Sequence, residues 1–105
     1  MIIVTTKYKV RPETRDIVLG IAAKYRESAK SFEGNIEYMA MPAPSEDEIF
    51  SIEKWEEKEQ LETYCESDVC KSFIADRSPY LIDGSKVTNI YTAKDTTIDV
   101  SIRLD

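Results

Sequence analysis

Residues Glu48 to Tyr80 read EIFSIEKWEEKEQLETYCESDVCKSFIADRSPY. Ile49, Ser51, Glu53 and Trp55 alternate with Phe50, Ile52 and Lys54, the period of two of a strand, and the strand ends on the chain's only tryptophan. Glu57 to Glu66 then has helical spacing, with Leu61, Tyr64 and Cys65 on its inner side. Ser67 or Asp68 is placed to cap another helix, whose inner residues are Val69, Cys70, Phe73, Ile74 and Arg77. Pro79 helps to end it.

The rest of the chain is placed around this stretch. Ile2, Val4, Thr6, Tyr8 and Val10 alternate with Ile3, Thr5, Lys7 and Lys9, which predicts a first strand. Pro12 suits a first helical turn. From Glu13 to Phe32 a helix is expected, with Ile17, Val18, Ile21, Ala22, Tyr25, Ala29 and Phe32 inside an arc of roughly 140°. Gly34 stops it. Asn35 to Met41 predicts a second strand, with Ile36, Tyr38 and Ala40 on one face. After a polar connector comes the Glu48 stretch, and Lys86 to Ala93 predicts a fourth strand. In the tail, Ile98, Val100, Ile102 and Leu104 alternate with Thr97, Asp99, Ser101 and Arg103, which predicts a terminal strand.

The order β-α-β-β-α-β, with the second helix broken in two, predicts an α+β domain of the ferredoxin-like kind. The expected sheet is antiparallel with strand order 4-1-3-2 and helices on one face. Residues 1–94 form that domain, and 95–105 are an extension. Both faces of strands one, three and four carry apolar or aromatic side chains, while the helices cover only one. A second copy packing sheet against sheet covers the other, so a homodimer is expected. The tail is expected to add to the partner's sheet, with a hairpin back onto strand four as the alternative. Lys94-Asp95-Thr96 has neither the glycine nor the asparagine of a tight two-residue turn.

Composition narrows the function classes. At 105 residues there is room for one small domain. A net charge of −6 argues against nucleic acid as a partner. No apolar run approaches the ~20 residues of a membrane span, and MIIVTTKYKV lacks the order of a signal peptide; a cytoplasmic protein is expected. Two cysteines and no histidine do not make a zinc site. Neither a dinucleotide fingerprint, a P-loop nor a nucleophile elbow occurs.

MIIVTTKYKVRPETRD, FEGNIEYM, FSIEKWEEKEQLETY and SDVCKSF together resemble the antibiotic biosynthesis monooxygenase (ABM) domain family, over roughly residues 2 to 93. The most specific piece is Glu53-x-Trp55 followed by the helix bearing Leu61. The resemblance implies a dimeric α+β barrel with a pocket in each subunit between sheet and helices. It implies oxidation of phenolic or quinol-type aromatics without metal or flavin. Many small members carry a histidine where Tyr64 stands. In some quinol-oxidising members an asparagine occupies the position of Ser51. Haem-degrading members need an asparagine on strand one and a histidine matching Ile74, which this chain lacks.

Without histidine, conventional acid–base work falls to Glu53, Tyr64, Tyr25, Tyr91 or Lys54. The expected catalytic pair is Tyr64 and Glu53. Trp55, Ser51, Tyr25, Tyr91 and Phe73 are the candidate substrate-binding residues. No cofactor and no metal are expected. The function anticipated is cofactor-independent oxidation of a small aromatic, and the alternative is a non-catalytic ligand-binding dimer using the same pocket. Convergence of Tyr64, Glu53 and Ser51 on one cavity is the feature to look for.

Overall fold

The computed structural model describes residues 1–94. The expected strand from Thr97 to Leu104, and its exchange with a partner, lie outside the described residues. Within them, β1 (Ile2–Lys9), β2 (Asn35–Pro42), β3 (Glu48–Trp55) and β4 (Val87–Thr92) form one antiparallel sheet in the order β2-β3-β1-β4. This is the expected split arrangement. The helices are α1 (Arg15–Lys30), α2 (Lys58–Glu66) and α3 (Asp68–Arg77).

Register decides which side chains meet. Val4 pairs with Glu53 and Ile90, and Thr6 with Ser51 and Thr88. These positions share the helix-covered face, because side chains two apart on a strand point the same way. Ile3, Phe50, Ile52, Met39 and Tyr91 share the other face by the same rule. That face carries no helix among the described residues.

The differences from expectation are local. Pro12–Thr14 forms a 3₁₀ turn, so α1 begins two residues after Glu13. The Thr14 hydroxyl donates to the Arg11 carbonyl at 2.8 Å and closes that turn. Ile17, at the edge of the apolar arc, is 49% exposed. Val18, Ala22, Tyr25 and Ala29 are the residues α1 buries. A register shift between Asn35 and Glu37 takes Ile36 out of alternation, and it is exposed rather than grouped with Tyr38 and Ala40; an inserted residue in one strand does this to a ladder. Gly34 has φ +83 and lies against the Gln60 side chain, where a Cβ would collide. Left-handed backbone and close approach both select glycine there. No helix among the described residues is long and apolar enough to cross a membrane.

Candidate active site

The site is built where α2 gives way to α3. Glu57 and Gln60 form a capping box that starts α2; the Glu57 N–H donates to Gln60 Oε1 at 3.0 Å. This start sets the rotation of the helix and turns Leu61 and Tyr64 inward. Ser67 ends α2 in extended backbone and caps α3, its Oγ accepting from the Cys70 N–H at 3.2 Å. The new helix buries Cys70, Phe73 and Arg77, at i, i+3 and i+7 on one face. Against them stand Val4 and Thr6 of β1, Ser51 and Glu53 of β3, and Tyr38 of β2.

Between these elements lies a cavity of about 250 Å³. Ser51, Glu53, Tyr64, Phe73, Tyr38 and Arg77 are among its lining residues. Exposed residues Ile74, Lys86 and Ile90 stand at its mouth. A neighbouring depression shares Leu61, Cys65 and Ile90 with it.

The aromatic wall is tightly coupled. The Tyr64 ring lies 5.2 Å from Trp55, 5.1 Å edge-on from Phe32 and 6.1 Å from Tyr38. Such tilted and edge contacts are the preferred aromatic geometries. The Arg77 guanidinium carbon sits 4.9 Å from the Tyr8 ring centre and 4.8 Å from that of Phe73. Two aromatic faces therefore hold this cation in place.

Its polar groups are incompletely satisfied. Arg77 is 7% exposed, and its Nε has no hydrogen-bond partner among the described residues. The Tyr64 hydroxyl, on a residue 1% exposed, has none either. The Tyr38 hydroxyl is near enough to ease the Tyr64 phenol downward, but not in hydrogen-bonding geometry. Burial outweighs this and pushes the Tyr64 pKa well above the ordinary phenol value; it does the same to Tyr38. Both are neutral hydroxyls at physiological pH. Burial also raises Glu53 above the ordinary carboxyl range, while the Trp55 N–H and the Arg77 cation pull it part of the way back. The indole Nε1–H donates to Glu53 Oε1 at 3.2 Å.

Of the residues singled out in the sequence, Tyr64, Glu53, Ser51 and Phe73 come together at the cavity. Trp55 does not line it. The indole is fully buried behind Tyr64 and orients Glu53. Tyr25 packs on the far side of Phe73, ring centres 5.3 Å apart, and its hydroxyl donates to Asp76 Oδ2 at 2.6 Å. Tyr91 pairs with Ile3 on the opposite sheet face. Other lining residues, Tyr38 and Arg77 among them, were absent from the candidates. Arg77 had a signal in the sequence, as a cation within the apolar stripe of its helix. Among the described residues no three His, Cys, Asp or Glu side chains come together as metal ligands would.

No curated protein matches the chain. Solved structures do match. A conserved protein from Methanosarcina mazei Go1 is 26% identical, with a TM-score of 0.80 over 89% of this chain and 92% of that one. Rv0793 from Mycobacterium tuberculosis is 13% identical, with a TM-score of 0.79 over 92% and 98%. SnoaB, a cofactor-independent oxygenase from Streptomyces nogalater, is 9% identical, with a TM-score of 0.77 over 93% and 97%. At 13% and 9% the likeness is one of fold. The sequence pattern of the antibiotic biosynthesis monooxygenase family, in turn, matches residues 1–76, from β1 through nearly all of α3 and so most of the walls of the cavity. This chain belongs to the antibiotic biosynthesis monooxygenase family.

Proposed function

We propose that this protein is a monooxygenase acting without a cofactor on a small phenol or quinol bound in the cavity between sheet and helices. The observation that carries the reading is the convergence of Ser51, Glu53, Tyr64 and Arg77 on one aromatic-walled space. At about 250 Å³ it is smaller than the roughly 300–1,000 Å³ of drug-sized sites, which favours one or two rings.

Each group has a chemical role in this reading. The Glu53 carboxylate takes the phenolic proton, its basicity raised by burial. Arg77, a buried cation, holds the phenolate that forms. The electron-rich anion reacts with dioxygen directly; one oxygen atom enters the ring, and the other leaves as water with two hydrogens of the substrate. Tyr64, neutral at working pH, supplies the hydrogen bond to the oxygen that becomes anionic. Glu53 must be ionised to act as base. Activity therefore falls on acidification at a pH above that of an ordinary carboxylate.

The test is oxygen uptake with dihydroxynaphthalenes in chelator-treated buffer, with product mass. The expected product has gained one oxygen and lost two hydrogens. Uptake no faster than in protein-free buffer across the series overturns the turnover reading. Tight binding of the same phenols without uptake would identify a ligand-binding protein instead, a reading favoured by the Arg77 Nε that lacks a partner among the described residues.

The assembly in this reading is a homodimer. Ile3, Phe50, Ile52, Met39, Met41 and Tyr91 form an apolar sheet face, and Tyr91 is 52% exposed in the single chain. Sedimentation at micromolar concentration is expected to give twice the chain mass. A stable folded species of 12.0 kDa rules the dimer out.

A further inference from the structure

Arg77 is the one buried charged residue among the described residues, at 7% exposure. Six other cations, all less buried, have a carboxylate oxygen within 4.0 Å: Lys7, Lys9, Arg11, Lys30, Lys54 and Lys58. Arg77 has none at that distance among the described residues. The Tyr8 and Phe73 rings steady its charge, but a ring provides no counter-ion, and its Nε lacks a partner as well. Buried charges are otherwise paired, because taking a charge out of water is costly until a partner offsets it. The cavity that Arg77 lines is the space left for that partner. We propose that the ligand is an aromatic carboxylate, a phenol or quinol with a carboxylate beside its hydroxyl, and that Arg77 receives the carboxylate. This names the substrate class of the site proposed above and rests on that reading of the cavity.

The charges around the cavity favour an anion. The whole chain carries −6. The charged residues of the described lining are nonetheless two cations, Arg77 and Lys86, and one carboxyl, Glu53. Glu53 lies beyond ion-pair distance of Arg77, and burial weakens its acidity. Arg77 is close enough to the buried Tyr8 phenol to ease it downward, but a neutral phenol offers no negative charge. Lys86, exposed at the mouth, has no carboxylate within 4.0 Å among the described residues either. An anion thus enters past one cation and ends against another.

A plain phenol meets this need only after losing its proton. It arrives neutral, with a pKa of about 10, and until Glu53 takes the proton Arg77 stays without a counter-ion. A carboxylate brings the charge from the start. Guanidinium and carboxylate match as planar forks. A guanidinium has donors enough to hold the phenolate oxygen too, when the two groups are neighbours on the ring. A phosphate ester is the poorer match, because it brings about two negative charges to one buried cation. A carboxylate in the plane of the ring also adds less bulk to a cavity of about 250 Å³.

The experiment compares three ligands with one ring system: 1,4-dihydroxynaphthalene, its 2-carboxylate, and the methyl ester of that acid. Binding is measured by calorimetry in the absence of oxygen, and oxygen uptake is measured afterwards. The acid is expected to bind at least about tenfold more tightly than the diol or the ester, the effect of one charge-assisted hydrogen-bonded pair. In Arg77→Met that preference is expected to vanish. Arg77→Lys, which keeps the charge without the fork, should keep part of it. The comparison of ligands on the wild-type protein is decisive whether or not either variant folds. A diol or ester that binds as tightly as the acid, an undiminished acid preference in folded Arg77→Met, or no binding of any of the three each overturn the proposal. Tight binding of the acid without oxygen uptake would sink the oxygenase reading and leave this one standing. Diol bound as tightly as the acid and consumed as fast would do the reverse.

Discussion

The two ends of the helix-covered sheet face are filled in opposite ways. At one end Tyr8, Val10, Val18 and Ile49 pack so closely that none is more than 1% exposed. At the other, under α2 and α3, Trp55 and Tyr64 are just as deep, yet the side chains surround a cavity and include a half-buried carboxyl, a buried guanidinium and a buried phenol. Two of the three buried side-chain atoms without a partner among the described residues, Tyr64 Oη and Arg77 Nε, belong to that second end. Apolar burial stabilises at about 25 cal/mol per Å². An unsatisfied buried polar group costs about 1–3 kcal/mol. One end of the face thus supports the fold, and the other holds groups without protein partners among the described residues, which in the proposed function a ligand supplies.

The largest effect expected from this contrast is at the packed end. Ile49→Ala should destabilise the protein by about 2–5 kcal/mol. At roughly 4–8 °C per kcal/mol for a domain of this size, a thermal melt resolves it easily. A melting temperature close to wild type would mean that the tight packing there carries little of the stability.

At the cavity end the same kind of truncation should spare stability and remove function. Tyr64→Phe is expected to lower quinol turnover by about 10²-fold or more, roughly 2.7 kcal/mol of barrier, without lowering Tm. It deletes a hydroxyl that has no partner and keeps the ring that packs on Trp55. Tyr25→Phe is its control. That hydroxyl donates to Asp76 outside the cavity, so turnover should be unchanged. Equal rates for the two variants would return Tyr64 to a purely structural part.

Arg77→Met sharpens the comparison further. Methionine keeps contact with the Tyr8 and Phe73 rings and removes the charge. Phenol affinity, read by titration calorimetry, should weaken about tenfold, as the loss of one charge-assisted hydrogen bond would give. A variant that binds as well as wild type shows that the cation does not meet the ligand.

The smallest effect concerns Glu53. Its pKa is higher folded than unfolded, so the folded protein holds the proton more tightly and stability falls as pH rises through that interval. Glu53→Gln keeps an oxygen for the Trp55 N–H and never ionises. It should melt slightly higher than wild type near neutrality. The gap should close as pH falls toward the ordinary value of 4.5. A lower melting temperature for the variant at pH 7 would show instead that attraction to Arg77 outweighs burial.

Much of this was legible in the chain alone. Period-two alternation in Ile2–Lys9 and Glu48–Trp55 and the apolar arc of α1 are local, repeated signals, and they determined the elements and the strand order. Tyr64, Glu53, Ser51 and Phe73 were recognisable because each lies on the inward side of its own element. What the tertiary structure decided was how those inward sides meet. Strand register put Tyr91 beside Ile3 and away from the helices. Packing put Trp55 behind Tyr64, out of the cavity, and turned Tyr25 to Asp76. Arg77 looked like one cation in an apolar stripe, and beyond Phe73 of its own helix its surroundings come from β1 and β3, far away in sequence. Periodicity reports which way a side chain points from its own backbone, but the partner it finds, or lacks, depends on where the other elements bring theirs.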